Sequence, residues 1–284
     1  MSSVLYDTPG PRAIRRNRIL GVVTVLVVAA VLAFVVYRLF ETGQFEAKKW
    51  ELFTLPLVHQ NMFNALLNTL QAFAYAAVLS LILGLVLSLG RMSEHKWVKY
   101  PATAFIELFR AVPLLILMFI LYYGLPPLGV EGITPFIAVV TGLTLYNGSV
   151  LAEVFRAGVE GLPVGQAESG YAIGLRKNQV MRIILLPQAV RNMLPVIISQ
   201  LVVVLKDTAL GFLITYQELL FLAKFYGSQG QYGSPIIPSA IVFGTIYILL
   251  CLALAGVAKL VELRLRSKVG VATKAAGQEI DAGV

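Results

Sequence analysis

Two acid–base pairs stand at i, i+3 in otherwise apolar surroundings: Glu107 with Arg110, and Glu153 with Arg156. On a helix that spacing places both side chains of a pair on one face. Such a pair can lock as a salt bridge that orients helices. Alternatively, the guanidinium can be left to hold a carboxylate through two parallel hydrogen bonds. Asn147, Gln200 and Thr208 offer hydrogen-bonding groups within similarly apolar stretches, and Lys206 closes one of them. Together these six residues, Glu107, Arg110, Asn147, Gln200, Lys206 and Thr208, could line a path for a small zwitterion or anion. The plainer use of Asn147, Gln200 and Thr208 is hydrogen bonding between helices. Glu107 would repel an anion unless a neighbour neutralises it.

Nothing here reads as catalysis. His59 and His95 are the only histidines, far apart in sequence, and Cys251 is the only cysteine. No cluster has metal-ligand spacing, and no nucleophile stands beside a base, so neither a catalytic residue nor a metal site is expected. No Gly-Lys dipeptide occurs, so the G-x-x-x-x-G-K-[ST] phosphate loop is absent. Any nucleotide chemistry must belong to another chain.

The elements that would position these residues follow from composition. Of 284 residues, 58% are hydrophobic and 13% charged, against about 25% charged in soluble domains, and mean hydropathy is +0.79. The chain is expected to be an all-α polytopic membrane protein. Six stretches approach the ~20 apolar residues a span needs: 19–40, 63–90, 102–124, 134–155, 189–205 and 237–262. The first is too long for the core of a signal peptide and is read as a retained helix. Residues 206–235 are interrupted by Lys206, Asp207, Gly211, Gln217, Glu218 and Lys224. They suit a short re-entrant or surface helix better than a seventh span. Thr134-Pro135 and Ser234-Pro235 each offer a hydroxyl cap ahead of a first-turn proline.

The net charge of +8 has a topological reading. Arg12, Arg15, Arg16 and Arg18 precede the first segment, and Arg91, Lys96 and Lys99 follow the second. Arg156, Arg176, Lys177 and Arg182 follow the fourth, and Arg264, Arg266, Lys268 and Lys274 follow the last. Alternate connections hold fewer. The positive-inside rule then puts both termini in the cytoplasm of a multi-pass protein of the cell inner (plasma) membrane. The basic residues are explained without nucleic acid.

The stretch Gly165–Pro187, "GQAESGYAIGLRKNQVMRIILLP", is cytoplasmic on this topology. Gly161-Leu162-Pro163 should end the preceding helix and start a short one. Glu168 is expected near its N-terminus, where the dipole favours a negative charge. Ala167, Gly170 and Gly174 are expected to share a face that another backbone can approach. The alternative is an amphipathic helix resting on the bilayer, although glycines weaken an isolated helix. Pro187 and Pro195 should interrupt the apolar run that re-enters the membrane.

Glu168-Ser169-Gly170, Gly174, Ile184 and Leu186-Pro187 resemble, in type and spacing, the "EAA" motif of ABC-importer permeases, with Ser169 and Gly170 replacing the two alanines. The segments "ELFRAVPLLILMF" (Glu107–Phe119), "EVFRAG" (Glu153–Gly158), "LPQAVRNMLP" (Leu186–Pro195) and "LKDTAL" (Leu205–Leu210) are similar to polar amino-acid uptake permeases. That likeness covers about residues 60–265. Val4–Pro11 and the extra first helix look most like the glutamate permeases of actinobacteria.

The resemblance implies a type I ABC-importer permease fold of about six transmembrane helices. It divides the chain into 1–60 (tail, extra helix and outer loop), 61–265 (the transmembrane domain) and 266–284 (a cytoplasmic tail). It makes 165–187 a coupling helix that docks on an ATPase subunit through Glu168, Ser169, Gly170, Gly174, Ile184, Leu186 and Pro187. Arg176, Lys177 and Arg182 are further docking candidates, or else face solvent and lipid headgroups. The implied function is alternating-access import of polar amino acids, glutamate first. The implied partners are two ATPase subunits carrying ATP and Mg, a second permease subunit, an extracellular solute-binding protein and membrane lipid. A stand-alone ion-coupled transporter is the rival reading, although many such folds carry internal repeats and none is seen here. An accessory subunit with no path of its own is the third.

Overall fold

The computed structural model describes residues 10–281, with side chains through Leu260. Val4–Pro9 and the side chains of the basic C-terminal residues lie outside that description. Every regular element among the described residues is helical.

Proline opens the long helices. Pro11, Pro56 and Pro135 each sit in the first turn, where a missing N–H has no intrahelical partner to lose. Helix α1 (Pro11–Glu41) is apolar on all sides and buries none of its residues. Helix α2 (Pro56–Arg91) instead buries a stripe of small residues, including Ala65, Ala72, Ala76, Ser80, Gly84 and Ser88. These fall four or seven apart, so they line one face. That face receives α5 (Pro135–Glu160), whose N-cap Thr134 accepts from Ile137 N–H at 3.2 Å, as its sequence suggested. A Cβ on Gly84 would come within 2.8 Å of Leu151, and one on Gly148 within 2.9 Å of Leu83. Small residues thus set how closely α2 and α5 approach, the usual device where lipid supplies no hydrophobic drive between helices.

The third apolar stretch is not one straight span. It divides into α3 (Lys96–Ala111) and α4 (Leu114–Phe119, continued by a wide π-type turn to Gly124), bent by 99°. Pro113 is the cause: it excludes helical geometry from the residue before it, and Val112 stands extended at φ −84°, ψ 126°.

Gly161 caps α5 and a short helix, α6 (Val164–Ala172), follows. The chain returns through a π-type stretch, Val180–Leu185, into α7 (Leu186–Asp207). Pro187 and Pro195 do not break this run. Pro187 lacks the N–H that would bond back one turn, and the widened turns immediately before it absorb the mismatch. Among the described residues five helices are long and apolar enough to cross a bilayer, or six spans if the bent α3–α4 pair counts as one.

Residues 208–235 form no further span. A 3-10 turn, Thr208–Ile214, leads through left-handed Thr215 to α8 (Leu219–Gly227), only nine residues long. Ser234 does not cap like Thr134. It adopts φ 49°, and α9 (Ile236–Asp281) begins two residues later.

Glu218 fixes this corner. Its fully buried carboxylate accepts from Leu220 N–H at 2.8 Å, Phe221 N–H at 2.6 Å and the Tyr247 hydroxyl of α9 at 2.6 Å. Thr69 of α2 accepts from Leu219 N–H at 3.2 Å, so three elements meet there. Losing a cap costs about 1 kcal/mol, and orphaning a buried hydroxyl a further 1–3 kcal/mol or so. Glu218→Ala should therefore lower the thermal unfolding temperature of the detergent-solubilised chain clearly more than Glu218→Gln, which keeps an acceptor. Equal losses would contradict the capping role.

Candidate functional site

The motif-bearing segment forms a hairpin of two helical arms. Gly170 is buried in α6, and a Cβ there would meet Ile184 at 2.8 Å and Val180 at 2.9 Å. The first half of the motif is thus packed on the second by the absence of a side chain. Gln188 extends the seam, donating to Gln166 at 3.2 Å and to the Ile184 carbonyl at 2.9 Å. Leu186 and Pro187 open α7.

Two expectations for this segment are corrected. Gly174 does not share a helical face with Gly170, because α6 ends at Ala172. Gly174 instead takes φ 83°, with Gly174 N–H to Tyr171 O at 2.9 Å and Leu175 N–H to Gly170 O at 3.1 Å. That is the Schellman closure, which favours glycine at its left-handed position. Glu168 is the fifth residue of α6 and outside its first turn, so the dipole argument does not apply. Glu168, Ser169 and Gly174 are exposed, while Ala167 is half-buried beside Gly170.

Sequence reasoning missed the apolar side chains that α6 and its cap expose: Val164, Tyr171 and Ile173, the last 76% accessible. They lie in a connection between spans. Their signal was available, since they are large apolar residues interleaved with the small ones at 165, 167, 170 and 174.

At the same end of the bundle the ionisable residues form a chain. Arg91 at the end of α2 reaches Glu107 of α3 at 2.9 Å and Glu153 of α5 at 2.8 Å. Glu153 also holds Arg156 at 3.0 Å, and Arg156 bonds Glu160. The i, i+3 pairing holds for Glu153–Arg156 and fails for Glu107–Arg110. Glu107 is neutralised by Arg91, leaving Arg110 exposed with no ion-pair or hydrogen-bond partner among the described residues. Nearby, Lys177 bonds Glu94 and holds that carboxyl below the usual carboxylate range, by hydrogen bond and by charge.

The remaining path candidates lie elsewhere. Gln200 of α7 donates to Asn147 of α5 at 2.7 Å, and Asn147 is fully buried. Asn147 also interacts with Asp207, but its Nδ2 makes no hydrogen bond of normal geometry. A buried donor without a good partner is uncommon. Lys206 is exposed at the end of α7. Thr208 is buried and donates to Leu205 O at 2.7 Å. The structure thus brings Asn147 and Gln200 together, with Asp207 added and Lys206 next to it in the chain. Arg110 and Glu107 belong to the opposite end.

Comparisons with known proteins agree with this architecture. Residues 78–267 match the family described as "Binding-protein-dependent transport system inner membrane component". The chain is 37% identical over 235 residues to the glutamate transport system permease protein GluD of Corynebacterium glutamicum, covering 79% of this chain and 82% of that one. It is 34% identical over 200 residues to the arginine transport system permease protein ArtQ of Bacillus subtilis, covering 70% and 90%. Among solved structures, an amino acid ABC transporter with histidines superposes with a TM-score of 0.66 at 29% identity, covering 72% and 94%. The MetNI methionine transporter, at 17% identity and a TM-score of 0.59, shares the fold.

Two outcomes are expected. Arg91→Gln leaves Glu107 and Glu153 without their shared cation. It should destabilise the chain by about 1–3 kcal/mol, with most of that loss absent when Glu153→Gln is already in place, as a double-mutant cycle in chemical unfolding will show. At the hairpin tip, Gly174→Val puts a β-branched residue in a left-handed backbone, at a cost of about 1–2 kcal/mol. In the assembled transporter it should depress substrate uptake per ATP hydrolysed, whereas Gly174→Asn, which tolerates that conformation, should retain most of it. Normal coupling in Gly174→Val would remove the tip from the docking surface.

Proposed function

We propose, from the premise that this chain belongs to the binding-protein-dependent transport-system inner membrane components, that it forms the membrane path for glutamate in its importer. At the coarser level it is the non-catalytic transmembrane permease subunit of an ABC importer of polar amino acids, and in this family ATP is bound by ATPase partners. Family complexes also include a binding protein. The family assignment displaces the ion-coupled rival.

The α6 hairpin is the docking element for the ATPase. The observation that carries this reading is the seating of Gly170 on Ile184 and Val180, beneath an exposed apolar tip of Tyr171 and Ile173. A helix laid into a groove needs such a tip, and a mechanical link needs such a seat. Glu168, Ser169 and Gly174 complete the exposed surface. Mg accompanies ATP on the partner. A second permease subunit, identical or related, faces this one across the cavity. Both termini and α6 are cytoplasmic, as the basic residues at that end support.

Glutamate is favoured by the likeness to a glutamate permease and by charge. Arg110 is a guanidinium left uncompensated because Arg91 has taken Glu107. Lys206 is an exposed cation at the other end, where an incoming anion would first be attracted. Between them, the Asn147–Gln200 pair with Asp207 offers acceptors for an α-ammonium group.

The test is uptake of radiolabelled glutamate, aspartate, glutamine and arginine by the full complex in proteoliposomes loaded with ATP. Glutamate should enter fastest. Arg110→Gln should slow glutamate by about tenfold, the scale of one lost charged hydrogen bond, and slow glutamine much less. Preferential import of arginine would overturn the substrate assignment while leaving the permease role intact.

A further inference from the structure

A cavity of about 390 Å³ opens where the turn between α2 and α3 meets the segment leaving the α6 hairpin. Its floor is apolar: Leu89 at the end of α2, Met92, and Met181 of the π-type stretch. Its rim carries Arg176, Lys177 and Arg182 against a single carboxylate, Glu94. Glu94 is already engaged by Lys177. Neither Arg176 nor Arg182 has an ion-pair partner among the described residues, and both are exposed. The cavity thus carries two exposed guanidinium groups for which the chain supplies no counter-charge among the described residues.

We propose that this cavity binds a phosphate group, with Arg176 and Arg182 as its two forks. Guanidinium matches phosphate oxygens in bidentate geometry, and two forks present more donors than one carboxylate accepts. The apolar floor adds a place for hydrocarbon beside the charge. It lies at the C-terminal end of α2, a helix long and apolar enough to cross the bilayer. The phosphate of an anionic lipid is therefore one source, since basic pockets beside spans on the cytoplasmic side take such headgroups. A soluble phosphate is the other source with the same chemistry. The site sits between the fixed α2–α3 turn and the return arm of the α6 hairpin. Occupancy would tie that arm to the bundle. Glu94 already makes that tie through Lys177, and a phosphate would extend it to Arg176 and Arg182. The inference rests on the cavity itself and holds whatever substrate the path carries.

The test uses the full-length chain purified in a neutral detergent. It is titrated separately with short-chain phosphatidylglycerol, short-chain phosphatidylcholine and inorganic phosphate, and bound ligand is counted by native mass spectrometry. Saturable binding of phosphatidylglycerol over phosphatidylcholine identifies a lipid headgroup. Saturable binding of inorganic phosphate that competes with the lipid identifies a soluble source. In either case the Arg176→Gln/Arg182→Gln double variant should bind at least about tenfold more weakly. Because misfolding can also weaken binding, a second variant is decisive. Glu94→Gln removes the competing carboxylate and frees Lys177, so it should bind several-fold more tightly. The proposal is overturned if no probe saturates, if the double variant binds like the parent chain, or if Glu94→Gln fails to tighten binding.

Discussion

The contact on which the rest depends is the seating of Gly170 against Val180 and Ile184. It joins two helical arms that leave the bundle and return to it, and the first arm contributes no side chain at the contact. A methyl group there would come within 2.8 Å of Ile184 and 2.9 Å of Val180, so those side chains or the arms would have to shift. With the seam closed, α6 is packed against the stretch that leads into α7, and Gln188 adds hydrogen bonds across the same seam.

Around that contact the bundle is held together differently at its two ends. Where α6 emerges, Arg91 bridges α3 and α5 through two carboxylates, and Glu153 passes the connection on to Arg156 and Glu160. At the far end, the buried Glu218 collects two backbone donors and the Tyr247 hydroxyl. Both arrangements answer the same demand, that polar groups withdrawn from water be satisfied within the protein. Between them the contact of α2 with α5 is made by small residues and apolar packing. The Asn147–Gln200 pair is a polar contact in the middle, between α5 and α7.

Much of this was legible in the chain itself. The apolar stretches located the helices, because span length is fixed by bilayer thickness. Thr134-Pro135 marked a helix start, since cap chemistry is local. The motif spacing located the hairpin. The misreadings have two causes: a local pattern assumed to continue past its breaker, and a charge assumed to pair within its own helix. Glu107 was paired with Arg110 across one turn, but a cation from another helix took it. Gly174 was assigned to a helical face, but the helix stopped two residues earlier and the glycine was needed for its backbone angle. Residues 102–124 were read as one rod, although Pro113 turned them by 99°.

By itself, then, the sequence determined the class, the approximate spans, the lack of a nucleotide loop and the location of the motif-bearing hairpin. These follow from composition, from periodicity and from local backbone rules, which act over a few residues. Tertiary structure alone decided which carboxylate meets which cation, that Gly170 is seated while Gly174 is a turn, and that Asn147 and Gln200 face each other. Only the folded chain also showed that Arg176 and Arg182 border one cavity with Glu94. Pairings across tens of residues depend on how helices are stacked and rotated, and that is set by the sum of packing over the bundle rather than by any local run of residues.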